Sequence, residues 1–210
     1  MSASNPPGVQ EGLRSRKRRE TRARITSAAL ALFLEKGFEA TTVDEIAAAA
    51  DVSKRSFFDY FPAKDEVIAA WQDEFGQALS EGVAARPVGE PMARTVEEAL
   101  IALLVAHVTP RSMAIVELIR ATPALRAREQ MKYVRLEQRL CEALAARCQP
   151  GEQLKARLLA MIAIGGMRVA GELWQESGRA EPLEIFARDA FRRIWTQLGE
   201  LGRELEAASL

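Results

Sequence analysis

Apolar residues recur along most of the chain at the three- and four-residue spacing that marks one face of an α-helix. The first such pattern runs from about Ser15 to Lys36 and ends at Gly37, a residue type that commonly closes a helix. No stretch alternates apolar and polar residues as a half-buried strand would, and no internal repeat is visible. The pattern predicts an all-α protein.

Two short helices are predicted after the first one. Thr42 and Glu45 have the spacing of a capping box, which begins the second helix, and Ser53 caps a third helix that runs to about Tyr60. Pro62 then breaks the chain. Short helices joined by a few residues are typical of a helix-turn-helix, whose second helix enters the DNA major groove.

The remainder of the chain also shows helical periodicity, interrupted by proline and glycine. The predicted helices span about Lys64–Glu81, Arg94–Val108, Ser112–Ala121, Pro123–Arg147, Glu152–Ser177 and Pro182–Glu206. We therefore predict a disordered tail at residues 1–14, a helix-turn-helix domain at 15–63, and a helical sensing and dimerisation domain at 64–210.

Positive charge is concentrated before the helix-turn-helix, although the 29 basic and 29 acidic residues of the chain cancel. This run contains one acidic residue, Glu20, and seven basic residues: Arg14, Arg16, Lys17, Arg18, Arg19, Arg22 and Arg24. A solvated tail is one interpretation of such a run, and a contact with the phosphate backbone is the other. A protein that only compacts DNA is expected to be basic throughout, which this chain is not.

The sequence contains none of the common motifs of enzymes or of metal-binding proteins. The chain has no His-Glu-x-x-His, no phosphate loop, no Cys-x-x-Cys and one histidine, so we expect no enzyme, no metal and no cofactor. Cys141 and Cys148 fall in one predicted helical stretch, roughly 10 Å apart along its axis, which is too far for a disulfide. Free thiols, with no secretory signal and no membrane-length apolar run, predict a cytoplasmic protein that does not bind membranes.

The segment from Ala29 to Lys64 resembles the DNA-binding domain of the TetR family, and the resemblance extends over roughly Arg18 to Val67. The matching positions are Phe33, Gly37, Thr42, Ile46-Ala47, Val52-Ser53 and Phe61-Pro62-x-Lys64. Further along, Leu118-Ile-Arg-Ala-Thr-Pro-Ala-Leu-Arg-Ala-Arg and the later Arg168 and Trp174 are similar to regulators associated with mycofactocin clusters. The resemblance implies a DNA-binding transcription regulator, more often a repressor than an activator, that binds a palindromic double-stranded operator as a homodimer and is released by a small-molecule effector.

The resemblance also implies roles for individual residues at the DNA. Thr42, Tyr60 and Lys64 would contact phosphates, and the arginines Arg18, Arg19 and Arg22 would meet the backbone or the minor groove. The residues implied to face the major groove are Ser53, Lys54, Arg55 and Ser56.

The sequence departs from the family pattern at three of its positions. Asp51 replaces the usual glycine of the turn, and aspartate tolerates left-handed geometry. Phe58 stands where a phosphate-binding tyrosine is common, so no contact is assigned to it. Arg55 replaces a small residue and either reads guanine bidentately or clamps a phosphate.

Lys64 is predicted to open the fourth helix, where its positive charge opposes the helix dipole. Such a charge is favourable there if a DNA phosphate lies in front of it. The alternative is a lysine that extends into solvent.

The last two helices are predicted to form the dimer interface. Gly165 and Gly166 interrupt the apolar stretch Met161–Met167, and glycines inside a helix are favourable only where something packs closely. The helix from Pro182 offers one apolar face, made of Leu183, Phe186, Ala190, Phe191, Ile194 and Leu198.

The resemblance further implies a small ligand enclosed between the helices of the second domain, although a regulator that senses no ligand is compatible with the sequence. The candidate contacts are His107, Arg120, Arg168, Glu172 and Trp174. His107 also suits a hydrogen-bonded core position, and Trp174 suits packing. Arg168 lies in an apolar helix and needs a partner, which is either a ligand anion or Glu172.

Overall fold

The computed structural model describes residues 12–207, and they fold into helices without a strand, which confirms the all-α class. The helices within that range are α1 (Leu13–Lys36), α2 (Val43–Ala49), α3 (Lys54–Tyr60), α4 (Glu66–Ala84), α5 (Met92–His107), α6 (Pro110–Ala121), α7 (Pro123–Ala145), α8 (Gln153–Glu176) and α9 (Leu183–Ala207). The predicted disordered tail falls outside the described residues except at its end, where Leu13 and Arg14 already belong to α1.

Local hydrogen bonds determine where the short helices begin. The Oγ1 of Thr42 accepts from the backbone N–H of Glu45 at 3.3 Å, and the Glu45 carboxylate accepts from the Thr42 N–H at 2.8 Å, so the predicted capping box is present. The Ser53 Oγ accepts from the Ser56 N–H at 3.0 Å and starts α3. The turn between the two helices places Asp51 at φ 50°, the left-handed geometry expected of a residue that replaces glycine.

The beginning of α4 differs from the prediction. Lys64 lies in a turn before the helix, which begins at Glu66. The five later helices begin and end within two residues of their predicted limits.

Two compact units divide the chain between Trp71 and Gln72, inside α4. In the first unit α1 packs on α2 and α2 on α3. Its core is apolar and contains four phenylalanines, of which Phe57 and Phe61 lie with their ring centroids 5.8 Å apart. The buried residues include Ile25, Ala29, Leu30, Phe33, Phe38, Ile46, Ala47, Phe57 and Phe61.

The second unit is built from α5 to α9 and the last part of α4. Helix α7 packs against α6 and α8, and α9 packs against α5 and α8. The core between them includes Leu79, Val96, Leu100, Leu136, Leu140, Leu144, Ala160, Ile164 and Phe191. These helices form the framework that carries the candidate sensing residues.

Two further predictions bear on the environment of the protein. Cys148 lies beyond the end of α7 rather than inside the helix that contains Cys141, and both thiols are free. Within residues 12–207 no single helix is long and apolar enough to cross a membrane. Taken together, α5 and α6 have the required length and apolar content, but the chain bends by 92° between them.

Candidate nucleic-acid interface

Helix α3 has one face in the core and one face outside. Phe57 is fully buried, while Lys54, Arg55, Phe58 and Asp59 are exposed. Because residues three and four apart share a helix face, Phe58 lies beside both Lys54 and Arg55. The outward face therefore carries two cations with an aromatic ring next to them.

The two cations of this face differ in their partners. The Lys54 Nζ donates to the Asp44 carboxylate of α2 at 2.9 Å. Arg55 has no hydrogen bond or ion pair to another described residue. The hydroxyls of Ser53 and Ser56 bond to each other at 2.9 Å as part of the cap. Of the four residues predicted to face the groove, Arg55 is thus the one without a hydrogen-bond or ion-pair partner among the described residues.

Arginines of α1 brace the end of α3. The Arg18 guanidinium lies over the Tyr60 ring, 5.1 Å from its centroid, and donates to the Asp59 carbonyl at 3.4 Å. Arg22 lies over the Phe61 ring at 4.8 Å. Stacking uses the face of a guanidinium and leaves most of its N–H edge free to bind an anion. Arg19 is exposed on the same stretch of α1.

The start of α2 is a closed network. The Thr42 hydroxyl donates to the Glu45 carboxylate at 2.8 Å, and the Lys36 ammonium pairs with the same carboxylate. The Lys36 hydrogen bond and those from Thr42 hold the pKa of Glu45 at about 2. The Thr42 hydroxyl proton, which a phosphate contact would require, is therefore already donated within the protein.

Lys64 has a different environment from the one expected of a residue that opens a helix. Its Nζ donates to the carbonyls of Phe38, Glu39 and Thr41 at 2.8, 3.3 and 3.0 Å, and it lies 4.4 Å from the centroid of the Phe38 ring. An ammonium has three hydrogens, and all three are used here. In this structure Lys64 ties the turn before α4 to the loop between α1 and α2, instead of facing a phosphate or solvent.

Phe58 is the feature of this surface to which sequence reasoning assigned no role. The ring is 47% exposed and meets Phe57 edge-on, with centroids 5.5 Å apart. The available signal was its position three residues after Arg55 and four after Lys54, both of which were predicted to face the groove.

The candidate sensing residues do not converge on one site. Arg168 pairs with Glu172 at 3.6 Å, as the sequence allowed, and both side chains are about half exposed. The Arg120 side chain donates to the Glu129 carboxylate at 2.9 Å and to the side-chain Oε1 of Gln175 at 2.8 Å. His107 is exposed at the end of α5, where its Nδ1 lies 3.1 Å from the Leu103 carbonyl.

Trp174 differs from the other sensing candidates because it lines a cavity within the second unit. Its indole N–H donates to the Glu181 carbonyl at 3.1 Å, and the guanidinium of Arg179 lies 5.8 Å from its ring centroid. His107, Arg120, Arg168 and Glu172 are not among the residues that line this cavity.

The two helices of the predicted dimer interface have unequal surfaces. On α9, Phe191 is buried in the core of its own chain, so much of the apolar face assigned to the dimer packs inside the protomer. A stripe of exposed apolar residues lies instead on α8, with Gly165 in its middle. This α8 stripe consists of Leu154, Leu158, Met161, Val169 and Leu173, each at least 46% exposed.

Comparisons with known proteins agree with this arrangement. Residues 25–71 match the description "Bacterial regulatory proteins, tetR family", and residues 90–199 match the "MftR C-terminal domain". The chain is 35% identical over 153 residues to the HTH-type transcriptional regulator TcmR of Streptomyces glaucescens, a match that covers 69% of this chain and 66% of that protein.

Solved structures share the fold at low sequence identity. A TetR-family regulator from Streptomyces coelicolor aligns with a TM-score of 0.58 at 19% identity, covering 90% of this chain and 97% of that one. FadR from Bacillus subtilis, solved with stearoyl-CoA, aligns with a TM-score of 0.54 at 17% identity, covering 82% and 96%. The chain belongs to the TetR family of bacterial regulatory proteins, which are DNA-binding transcriptional regulators, and carries a carboxy-terminal domain of the MftR type.

Proposed function

We propose that the protein is a homodimeric repressor that binds a palindromic operator and leaves it when a small-molecule effector enters the second domain. Residues 15–63 bind DNA in this proposal, and residues 64–210 sense the effector and dimerise. The observation that carries the proposal is the outward face of α3, where Arg55 stands exposed without a partner among the described residues. Because the DNA of a bacterial regulator lies in the cytoplasm, we assign the protein to that compartment.

Base reading rests on Arg55. A guanidinium with free donors matches the O6 and N7 acceptors of guanine, and a bidentate pair of this kind discriminates by about 1–3 kcal/mol. Lys54 contributes less, since contact with DNA has to compete with Asp44 at 2.9 Å. Ser53 and Ser56 give the groove small polar side chains at the start of the helix.

Phe58 contributes an apolar contact in the same groove. The Phe58 ring is 47% exposed, on the same helix face as the two cations. The C5-methyl of thymine is the apolar group that the major groove offers, and phenylalanine is among the residues that contact it. We therefore propose that Phe58 favours thymine next to the base that Arg55 reads.

Phosphate contacts come from α1 and from the end of α3. Arg18 and Arg22 are stacked on Tyr60 and Phe61, so their positions are fixed relative to the reading helix. Arg19 adds a further charge on the exposed stretch of α1. Lys64 supports the interface indirectly, as a positioning residue that holds the turn before α4.

Dimerisation rests on the α8 stripe. Apolar residues that are half exposed over five helical turns are unfavourable in water and indicate a protein interface. A groove of about 1130 Å³ lies beside this stripe and is lined by Val169 and Leu173 of α8 and Ile185 and Trp195 of α9. A second copy of the chain, related by a two-fold axis, would cover both surfaces and set two reading helices on one palindrome.

The test uses the full-length protein and DNA fragments from around its own gene, with random DNA of equal length as the control. Fluorescence anisotropy is measured from 50 to 300 mM salt. We expect a fragment bound at least about 10³-fold more tightly than random DNA, with steep salt dependence in both cases. Equal affinity for every gene-proximal fragment and for random DNA would contradict the proposal.

A further inference from the structure

The cavity that Trp174 lines has a volume of about 150 Å³ and lies between α5, α6, α8 and α9. Its walls are mainly aliphatic and aromatic. Leu104, Met113, Met167, Phe186 and Phe191 are among the side chains that face it. No charged residue is among the described residues that line it.

The polar groups at this cavity are nearly all occupied. The Ser112 hydroxyl lies 2.8 Å from the His107 carbonyl, to which it donates, and it accepts from the Thr109 N–H at 2.8 Å. The Trp174 indole N–H already donates to a backbone carbonyl.

Gln175 is the exception among the polar groups that line the cavity. Its Oε1 accepts from Arg120 at 2.8 Å, which orients the amide, and its Nε2 has no partner among the described residues. Gln175 is exposed, so it lies where the cavity meets solvent. The cavity thus offers one hydrogen-bond donor at its mouth and apolar surface elsewhere.

We propose that this cavity binds a small uncharged molecule with a single ring or a branched hydrocarbon body and one hydrogen-bond acceptor, which accepts from the Gln175 Nε2. Apolar cavities of about this size hold a molecule as large as benzene. A charged ligand would lose its hydration without gaining a partner in the cavity. That such a molecule is the effector rests on the proposed function; that the cavity binds it does not.

Gly171 provides a means to close the cavity. It lines the cavity, and a Cβ at this position would meet no atom within 4 Å. Gly171→Leu therefore fills empty space without a backbone clash, and leucine favours a helix more than glycine does. The matched control is Ala102→Leu, which adds the same side chain on the exposed surface of α5.

The test is a titration of the full-length protein, labelled with ¹³C at the methionine methyls. The probes are acetophenone, which has a ring and one carbonyl; isopropylbenzene, which has the same shape without an acceptor; and benzoate, which is anionic. We expect acetophenone to shift Met113 and Met167 and to leave Met131 and Met161, which do not line the cavity, unchanged. Isopropylbenzene should bind about ten-fold more weakly, and benzoate should cause no shift.

Two variants test the assignment. Gly171→Leu should abolish the shifts at Met113 and Met167, while Ala102→Leu retains them. Gln175→Leu should remove the preference for acetophenone over isopropylbenzene. The proposal is overturned if saturating acetophenone leaves Met113 and Met167 unshifted, if benzoate binds as well as acetophenone, or if Gly171→Leu binds normally. DNA binding is measured separately, so an empty cavity in a protein that still selects its operator contradicts this inference and not the proposed function.

Discussion

Gly166 of α8 lies directly against Ile194 of α9 in the same chain. A Cβ at position 166 would come within 2.6 Å of the Ile194 Cδ1, whereas a Cβ at the neighbouring Gly165 would meet no atom within 4 Å. The first glycine therefore lets two helices of one protomer approach each other, and the second lies open in the α8 stripe. Of these two glycines, Gly165 is the one with open space for the close approach of a second chain.

This difference predicts unequal effects of one substitution at adjacent positions. Gly165→Ala should raise the free energy of unfolding by up to about 1 kcal/mol through helix propensity. Gly166→Ala should raise it less or not at all, because the added methyl meets the Ile194 Cδ1 and the end of that side chain has to move away. Denaturant unfolding at a fixed protein concentration gives both values.

The obstacle at position 166 is the end of a side chain, so it can be removed. Valine at position 194 lacks the Cδ1 atom, so in an Ile194→Val background Gly166→Ala should give the full gain of helix propensity. A double-mutant cycle measures this coupling. If the stability effects of Gly166→Ala and Ile194→Val simply add, positions 166 and 194 are not in the contact that the structure shows.

Lys64→Met is predicted to destabilise the first unit. The variant keeps an apolar stem but leaves the carbonyls of Phe38, Glu39 and Thr41 without their donor, and losing a hydrogen bond from a charged group costs about 1.5–3 kcal/mol. Thermal unfolding by circular dichroism should show a lower midpoint, with Lys54→Met, on the exposed face of α3, as the control. Operator affinity should fall with little change in its salt dependence. If stability is unaltered and the slope of log affinity against log salt concentration falls by about one unit, Lys64 is instead a phosphate contact.

Helix positions in this chain could be predicted closely because their signals are local. The cap residues Thr42 and Ser53 and the breaker Pro62 act within one or two turns, and the structure confirms the helix starts set by the two caps. The environment of Lys64 could not be predicted, because its partners lie 23 to 26 residues earlier in the chain.

In the second domain, too, contacts between distant parts of the chain could not be predicted from the sequence. A rare polar residue in an apolar helix, such as Arg168, indicates a need for a partner, and its own Glu172 meets that need. The cavity arises from the packing of four helices and is lined mostly by ordinary apolar residues, so it leaves no pattern in the sequence. Likewise, periodicity showed that α9 has a buried face but not that Phe191 is buried within its own chain.

Substitutions of Arg55 are predicted to separate base reading from charge. Arg55→Ala should relax the preference at one base pair of the operator, at a cost of about 1–3 kcal/mol on the best sequence. Arg55→Lys keeps the charge but lacks the bidentate fork, so it should restore the salt dependence and not the base preference. Binding to a set of operators that vary at single positions measures both. If Arg55→Ala weakens binding to every sequence equally, the residue contacts phosphate.

Acid should weaken the start of α2. The pKa of Glu45 is about 2 in the folded protein, against an ordinary value of 4.5, so its carboxylate contributes stability that is complete above pH 4.5 and is lost as the pH falls toward 2. Glu45→Gln keeps an acceptor for the cap but carries no charge. The stability difference between the natural protein and this variant should therefore shrink from pH 6 to pH 3, as measured by melting temperature. Lys36→Met removes the main cause of the low Glu45 pKa. In a protein that retains Glu45, this substitution should make the melting temperature depend less on pH between pH 6 and pH 3.

The α8 stripe is predicted to hold the dimer together. Leu158 and Met161 are each 47% exposed in the protomer, so replacing both with lysine should cost little within one chain. In a dimer the four added charges would be desolvated against apolar side chains, which is strongly unfavourable. We expect sedimentation velocity to show a monomer with unchanged helical content and operator affinity reduced by at least about ten-fold, or roughly 1.4 kcal/mol. Val105→Lys, at a 51% exposed position on α5, is the matched control and should remain a dimer. A lysine variant of the stripe that still sediments as a dimer would place the interface on another surface of the second domain.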